Sequence, residues 1–160
     1  MIVTRHGDLL DAKGVIVHGC NSCGVMGSGV ALQIKNKWPE AFESYRNFLQ
    51  NHREHYCNSP LGLIAYSYPE TSVWVANMIT QQHFGRDKNK VYVDYEAIKT
   101  GFKSLNSDLK LQNRLSMKPI TTVNFPLIGC GLGNGNWKII SEIIDEELDD
   151  SLEKVLWLQD

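Results

Sequence analysis

The sequence predicts an α/β fold, a mixed six-stranded sheet sandwiched between helices in three layers, from three observations. Short apolar or β-branched runs alternate along the chain with longer segments whose apolar residues recur every three or four positions. Two glycine-rich stretches each lie between such a run and such a segment. The 160 residues show no linker, repeat or low-complexity tract, which makes residues 1–160 a single domain large enough to bury a core.

Residues 1–5, just ahead of Gly7-Asp8, predict the first strand. The continuous run Val15-Ile16-Val17 with His18 predicts a second strand, buried on both faces. Residues 28–37 read as a helix with Val30, Ala31, Ile34 and Trp38 on one side. Pro39 ends it, because the residue before a proline is pushed out of the helical region. The same proline suits the first position of a second helix, which runs to about residue 51 and turns Ala41, Phe42, Tyr45 and Leu49 inward. Residues 61–68 and 72–80 predict two strands in a hairpin or near-hairpin, joined through Pro69-Glu70-Thr71-Ser72. Residues 81–90 are polar, contain Gly85 and have no period, so they form a loop. A third helix starts at Tyr92 or Asp94 and reaches Leu109, its buried face made by Tyr95, Ile98, Phe102 and Leu105. Residues 120–125 predict a strand, 136–148 a helix capped by Asn136, and 152–158 a last strand.

Sixteen basic and eighteen acidic residues give a net charge of −2 and a pI near 6.2, with no basic block. That balance disfavours polymeric nucleic acid as the main partner. No run approaches the ~18 apolar residues of a membrane span and no leader is visible at the first residues, so no membrane partner and a soluble, cytoplasmic protein are expected. Cys20, Cys23, Cys57 and Cys130 are read as reduced thiols. Cys20-x-x-Cys23 lies across a glycine loop and lacks a second pair to complete a tetrahedral site. His52, His55 and Cys57 read as polar groups at a helix end, so neither a metal nor a cofactor is expected. The acidic run 145–150 reads as a solvated helix end.

The first glycine stretch passes from His18-Gly-Cys-Asn21 to Gly27-Ser28-Gly29, the second is Pro126-Leu-Ile-Gly-Cys-Gly-Leu-Gly-Asn-Gly-Asn-Trp137. A glycine turn between a strand and a helix N-terminus offers free N–H groups and the positive end of the helix dipole, which suits phosphate. Two such loops at strand ends can wall one crevice and suit a ligand with two phosphates. Neither fits the P-loop or the dinucleotide fingerprint.

In Gly7-Asp8-Leu9, His18-Gly-Cys-Asn21 with Met26-Gly-Ser-Gly-Val-Ala31, Asn77-x-x-Thr80-Gln81, and Ile128-Gly-Cys-Gly-Leu132, the chain resembles a macrodomain over nearly its whole length. It is most similar to the compact branch that includes yeast and tailed-phage proteins regarded as ADP-ribose-1''-phosphate phosphatases. The resemblance implies hydrolysis of ADP-ribose 1''-phosphate to ADP-ribose and phosphate. The alternatives are removal of ADP-ribosyl groups from macromolecules or from O-acetyl-ADP-ribose, and binding of ADP-ribose without turnover. It implies small-molecule ADP-ribose derivatives as partners, with ADP-ribosylated macromolecules as further ones, and host cytoplasm if a phage encodes it; the sequence leaves the oligomeric state open, with a monomer favoured.

The resemblance also implies residue roles. Asp8 accepts from the adenine amino group, or else caps its own turn, and Leu9 touches the base. Asn21 binds the distal ribose, or else holds its own loop. Met26, Gly27, Ser28, Gly29 and Val30 meet the distal ribose and phosphate, while Ile128, Gly129, Cys130, Gly131, Leu132, Gly133 and Asn134 meet the diphosphate from the other side. Trp157 stacks on adenine or belongs to the core. His18, with Asn21 beside it, is the candidate catalytic group, transferring a proton to or from the attacking water or leaving oxygen, or else a satisfied structural histidine. Relatives that work through a lysine adduct have that lysine where this chain has Gln81, and an acid where it has Gly133, so the covalent lysine route is not expected here.

Overall fold

In the computed structural model, which describes residues 1–159, strand β1 (Ile2–His6) leads through a 3-10 turn (Leu9–Asp11) into strand β2 (Gly14–Asn21). Two helices follow, α1 (Gly29–Lys37) and α2 (Pro39–His55), then strands β3 (Ile64–Glu70) and β4 (Val73–Gln81). Helix α3 (Tyr95–Leu115), strand β5 (Thr122–Phe125), helix α4 (Trp137–Glu147) and strand β6 (Glu153–Leu158) complete the chain. The strands make one six-stranded sheet in the order β1-β6-β5-β2-β4-β3. Every neighbouring pair is parallel except β3 with β4, which form the expected antiparallel hairpin. The mixed sheet of the α/β reading is therefore present, with its one reversed strand at an edge.

The helices divide between the two faces. Val15, Val17, Ala76, Met78, Val123 and Phe125 point toward α3 and α4, where Phe102 meets Phe125 edge-on at 6.3 Å between ring centres. Ile16, Val73 and Val75 point the other way, against Leu9 and Leu10 of the 3-10 turn and against Ile34, Trp38 and Ala41. Farther along that second face, Cys20 and Ile79 pack with Met26 and with Tyr45 and Leu49 of α2. The continuous apolar run in β2 is explained by this burial on both sides.

Several elements outrun the apolar signal that predicts them. β2 continues through Gly19, Cys20 and Asn21 because β4 pairs with them, although none of the three reads as strand. α2 extends a full turn past residue 51, so His52 is not a solvated helix-end group: its ring is buried and stacks on Tyr56 at 5.3 Å. α3 likewise reaches Leu115. The 3-10 turn has no periodic signal and forms because the Asp8 side chain accepts from the Leu10 N–H at 2.9 Å.

Candidate ligand-binding cleft

All the parallel strands end at one edge of the sheet, and the strand order fixes what stands along it. Asp8 follows β1, Trp157 lies near the end of β6, residues 126–136 follow β5, residues 22–28 follow β2, and residues 82–94 follow β4. A cleft of about 400 Å³ opens between the last three segments. Parallel strands with their connecting turns at one edge are where ligands of open α/β sheets bind.

The first wall is the turn into α1. Ser28 caps the helix with its backbone only, and the first helical bond runs from the Leu32 N–H to the Ser28 carbonyl. The N–H groups of Gly29, Val30 and Ala31 precede that bond, and all three residues line the cleft with Gly27 and Ser28. Gly29 has φ +59° and nothing within 4 Å of the position a Cβ would take. The loop is held from behind by a residue that the sequence gives no reason to select: the Tyr45 hydroxyl donates to the Asn21 carbonyl at 2.6 Å and accepts from the Gly24 N–H at 3.1 Å.

Asn21 lines the cleft, but its amide is occupied by its own loop. Oδ1 accepts from the Cys23 N–H at 3.0 Å, and Nδ2 donates to the Val25 carbonyl at 2.9 Å. His18 forms part of the floor and is 1% exposed. Asn77 donates through Nδ2 to the Ala41 and Ala65 carbonyls, which turns its Oδ1 toward His18 Nε2 at 2.5 Å. His18 Nε2 therefore carries the ring proton and is committed to Asn77. Burial pushes the His18 pKa down from 6.5 to about 4, outweighing the Asn77 hydrogen bond, so the ring is neutral at pH 7. The role as proton-transfer group expected from the sequence thus meets a ring whose proton is already shared with a buried amide.

The second wall is a sequence of tight turns. The Cys130 N–H donates to the Leu127 carbonyl, the Asn134 N–H to Gly131, and the Gly135 N–H to Gly129. Ile128, Gly129, Gly131, Leu132 and Gly133 line the cleft. Their glycines differ in what they permit. Gly129 has φ +73° and sits against Val93, and a Cβ on Gly133 would stand 2.6 Å from the Gly129 carbonyl oxygen. Gly131 faces open space.

Several of the expected contact residues do not line this cleft. Met26 is 1% exposed and belongs to the core beneath the first loop. The Cys130 thiol turns back to the Ile128 carbonyl, and burial raises its pKa as it does that of Cys20, so neither is a ready thiolate. Asn134, at φ +57°, uses its Nδ2 to hold the Asp87 and Lys90 carbonyls at 2.9 and 2.7 Å. Leu9 is buried with Leu10 in the core, Asp8 caps the turn, and Trp157 donates to Asn124 Oδ1 at 2.9 Å. Asp8 and Trp157 lie along the same edge, beyond the cleft on the β1–β6 side.

The third wall, of which the sequence singles out only Thr80 and Gln81, comes from the end of β4 and the loop after it: Thr80, Gln81, Phe84, Gly85 and Arg86. Thr80 is fully buried, and its hydroxyl has no partner among the described residues. Gln81 donates to the His83 carbonyl at 2.7 Å, which curls the chain away from the strand. The signal that can find this wall is the strand-end rule applied to β4.

The family model described as Macro domain matches residues 17–144. An ADP-ribose 1''-phosphate phosphatase of Meyerozyma guilliermondii is 28% identical over 155 residues, covering 82% of this chain and 85% of that protein. An uncharacterized 17.5 kDa protein of Enterobacteria phage T4 is 33% identical, covering 81% and 77%. A DNA ADP-ribosyl glycohydrolase of Mycobacterium tuberculosis is 27% identical over 89% of this chain, which spans only 37% of that protein. Among solved structures, a macrodomain protein from Streptomyces coelicolor superposes with a TM-score of 0.77 at 27% identity, over 99% of both chains.

Proposed function

Because the chain belongs to the Macro domain family, we propose that it hydrolyses ADP-ribose 1''-phosphate to ADP-ribose and phosphate in the cleft at the carboxyl edge of its sheet. The observation that carries this reading is the pair of glycine loops that line one cleft, the first of them with the N–H groups that precede the first hydrogen bond of α1. Similarity to a yeast phosphatase over most of both chains supports the choice of substrate. In this reading the diphosphate rests between the loops and the distal ribose turns toward β4.

Water attacks phosphorus, the bond from phosphorus to the anomeric oxygen breaks, and that oxygen leaves as the hydroxyl of ADP-ribose. An anomeric hydroxyl is more acidic than an ordinary alcohol, so the leaving group needs little proton assistance. The residues then contribute chiefly by placing the phosphoryl group and dispersing its charge. His18 and Asn21 enter as positioning groups, His18 through Asn77 and Asn21 through the first loop.

Phosphate release from ADP-ribose 1''-phosphate in ¹⁸O-labelled water tests the reading, with label expected in the phosphate. Label absent from released phosphate means cleavage at carbon, the chemistry of a glycosyl hydrolase. Tight ADP-ribose binding with no phosphate released reduces the function to binding. One observation favours that second reading: His18 and Asn21 are committed to partners and the Cys20 and Cys130 thiols are held protonated, so among the described residues neither these groups nor the two glycine loops offer a ready proton acceptor.

A further inference from the structure

Arg86 is the one formally charged side chain that lines the cleft among the described residues. The lining includes no lysine, aspartate or glutamate, and His18 is neutral at pH 7. The Arg86 guanidinium has no hydrogen bond, ion pair or ring contact among the described residues. The backbone that follows it, by contrast, is fastened, and the residue before it is closely packed. Asp87 next to it is tied to the second glycine loop through Asn134 and donates its N–H to the Tyr92 hydroxyl at 3.3 Å. Gly85 before it lies so close to Tyr92 that any side chain there would collide with the ring hydroxyl. The N–H groups of Tyr92 and Val93 both donate to the Gly133 carbonyl, which locks the whole segment to the phosphate loop.

An exposed arginine with no partner among the described residues, followed by a fastened stretch of backbone and lining a cleft without carboxylates, suits an anion. Its place along the edge says which one. The diphosphate falls to the loops after β5 and β2, whereas Arg86 follows β4, one strand farther from Asp8. We infer that Arg86 holds the terminal phosphate of the substrate and makes the cleft prefer ADP-ribose bearing a terminal phosphomonoester over ADP-ribose itself. This rests on the phosphatase reading for the identity of the ligand, and adds to it the residue that selects the phosphorylated form. A dianion beside a single arginine gains two charge-assisted hydrogen bonds that ADP-ribose cannot make there.

The test uses the 1''-methylenephosphonate analogue of ADP-ribose, which keeps the dianion and cannot be hydrolysed, alongside ADP-ribose, with calorimetry on the wild type, Arg86→Gln and Arg86→Lys. The wild type is expected to prefer the analogue on the order of 10- to 100-fold, the range of charge-assisted hydrogen bonds. Arg86→Gln should bring that preference to within about threefold while ADP-ribose affinity changes by less than about threefold, and Arg86→Lys should retain part of it. The wild-type preference should also shrink as salt is added. An equal loss for both ligands in Arg86→Gln, or no loss for either, overturns the assignment. Phosphate release by the wild type separates the two claims. Release with an unchanged preference in Arg86→Gln sinks the Arg86 site and leaves hydrolysis standing, and an Arg86-dependent preference without release does the reverse.

Discussion

Gly129 and Gly131 stand two residues apart in one loop, yet a side chain has opposite consequences at the two positions. At Gly129 it meets φ +73° and Val93 at 2.7 Å, so Gly129→Ala should destabilise the fold by roughly 2–5 kcal/mol in thermal denaturation. At Gly131 it enters open space from an ordinary backbone, so Gly131→Val should keep stability within about 0.5 kcal/mol. Gly131→Val should nonetheless weaken ADP-ribose at least about tenfold by calorimetry, because its branches occupy ligand volume. Undiminished affinity in the folded variant would remove this wall from the site. His18 sets a second residue-scale expectation. Its native pKa is about 4 against an ordinary 6.5, so between those values the unfolded chain binds the proton and the native protein does not. Stability is full above pH 6.5 and falls as pH drops toward 4, by at most ~1.4 kcal/mol per pH unit. His18→Gln, which keeps a donor for Asn77, should flatten the melting temperature across that window; an unchanged pH profile in that variant would assign the loss to other groups.

At the scale of elements, the site is three loops fastened to one another, and Asn134 is the fastening between two of them. Asn134→Gly keeps a residue that tolerates φ +57° and deletes the two bonds to the Asp87 and Lys90 carbonyls. The Tyr92 and Val93 amides should then exchange hydrogen faster while the core of β2 and β4 stays protected. Equal protection in both proteins would mean the backbone bonds to Gly133 suffice. This fastening also marks what sequence reading can reach. The strands, helices and two glycine loops are legible because each is announced by its own residues. The end of β2 is not, since Gly19, Cys20 and Asn21 become strand only by pairing with β4. Tyr45 reads as one apolar position of α2, and nothing in its neighbours says that its hydroxyl holds Asn21 twenty-four residues earlier. Which loop glycines are spacers and which are open to the ligand likewise depends on Val93 and on loop carbonyls, distant groups that the chain brings near only on folding.

Across the whole molecule, the strand order converts the carboxyl edge into a ruler. From β1 to β4 there are four inter-strand steps, β1 to β6 to β5 to β2 to β4, and at about 4.8 Å each they span about 19 Å. That reach suits an extended molecule with a group at each end of a diphosphate rather than a mononucleotide. If adenine sits at the β1–β6 end, AMP should slow amide exchange near Asp8 and in residues 126–136 and leave residues 22–31 and 82–94 unprotected, whereas ADP-ribose should protect all four segments. Asp8 keeps one carboxylate oxygen on the Leu10 N–H, and its second oxygen has no hydrogen bond among the described residues and is open to a donor. Asp8→Asn retains an acceptor for that turn, so it probes recognition with little effect on the fold. It should weaken AMP and ADP-ribose by the same factor, about 10-fold or more for the loss of a charged acceptor, and leave ribose 5-phosphate unaffected. Protection by AMP at residues 82–94 instead of near Asp8 would reverse the ligand along the edge, and would move the base, rather than the distal ribose, next to Arg86.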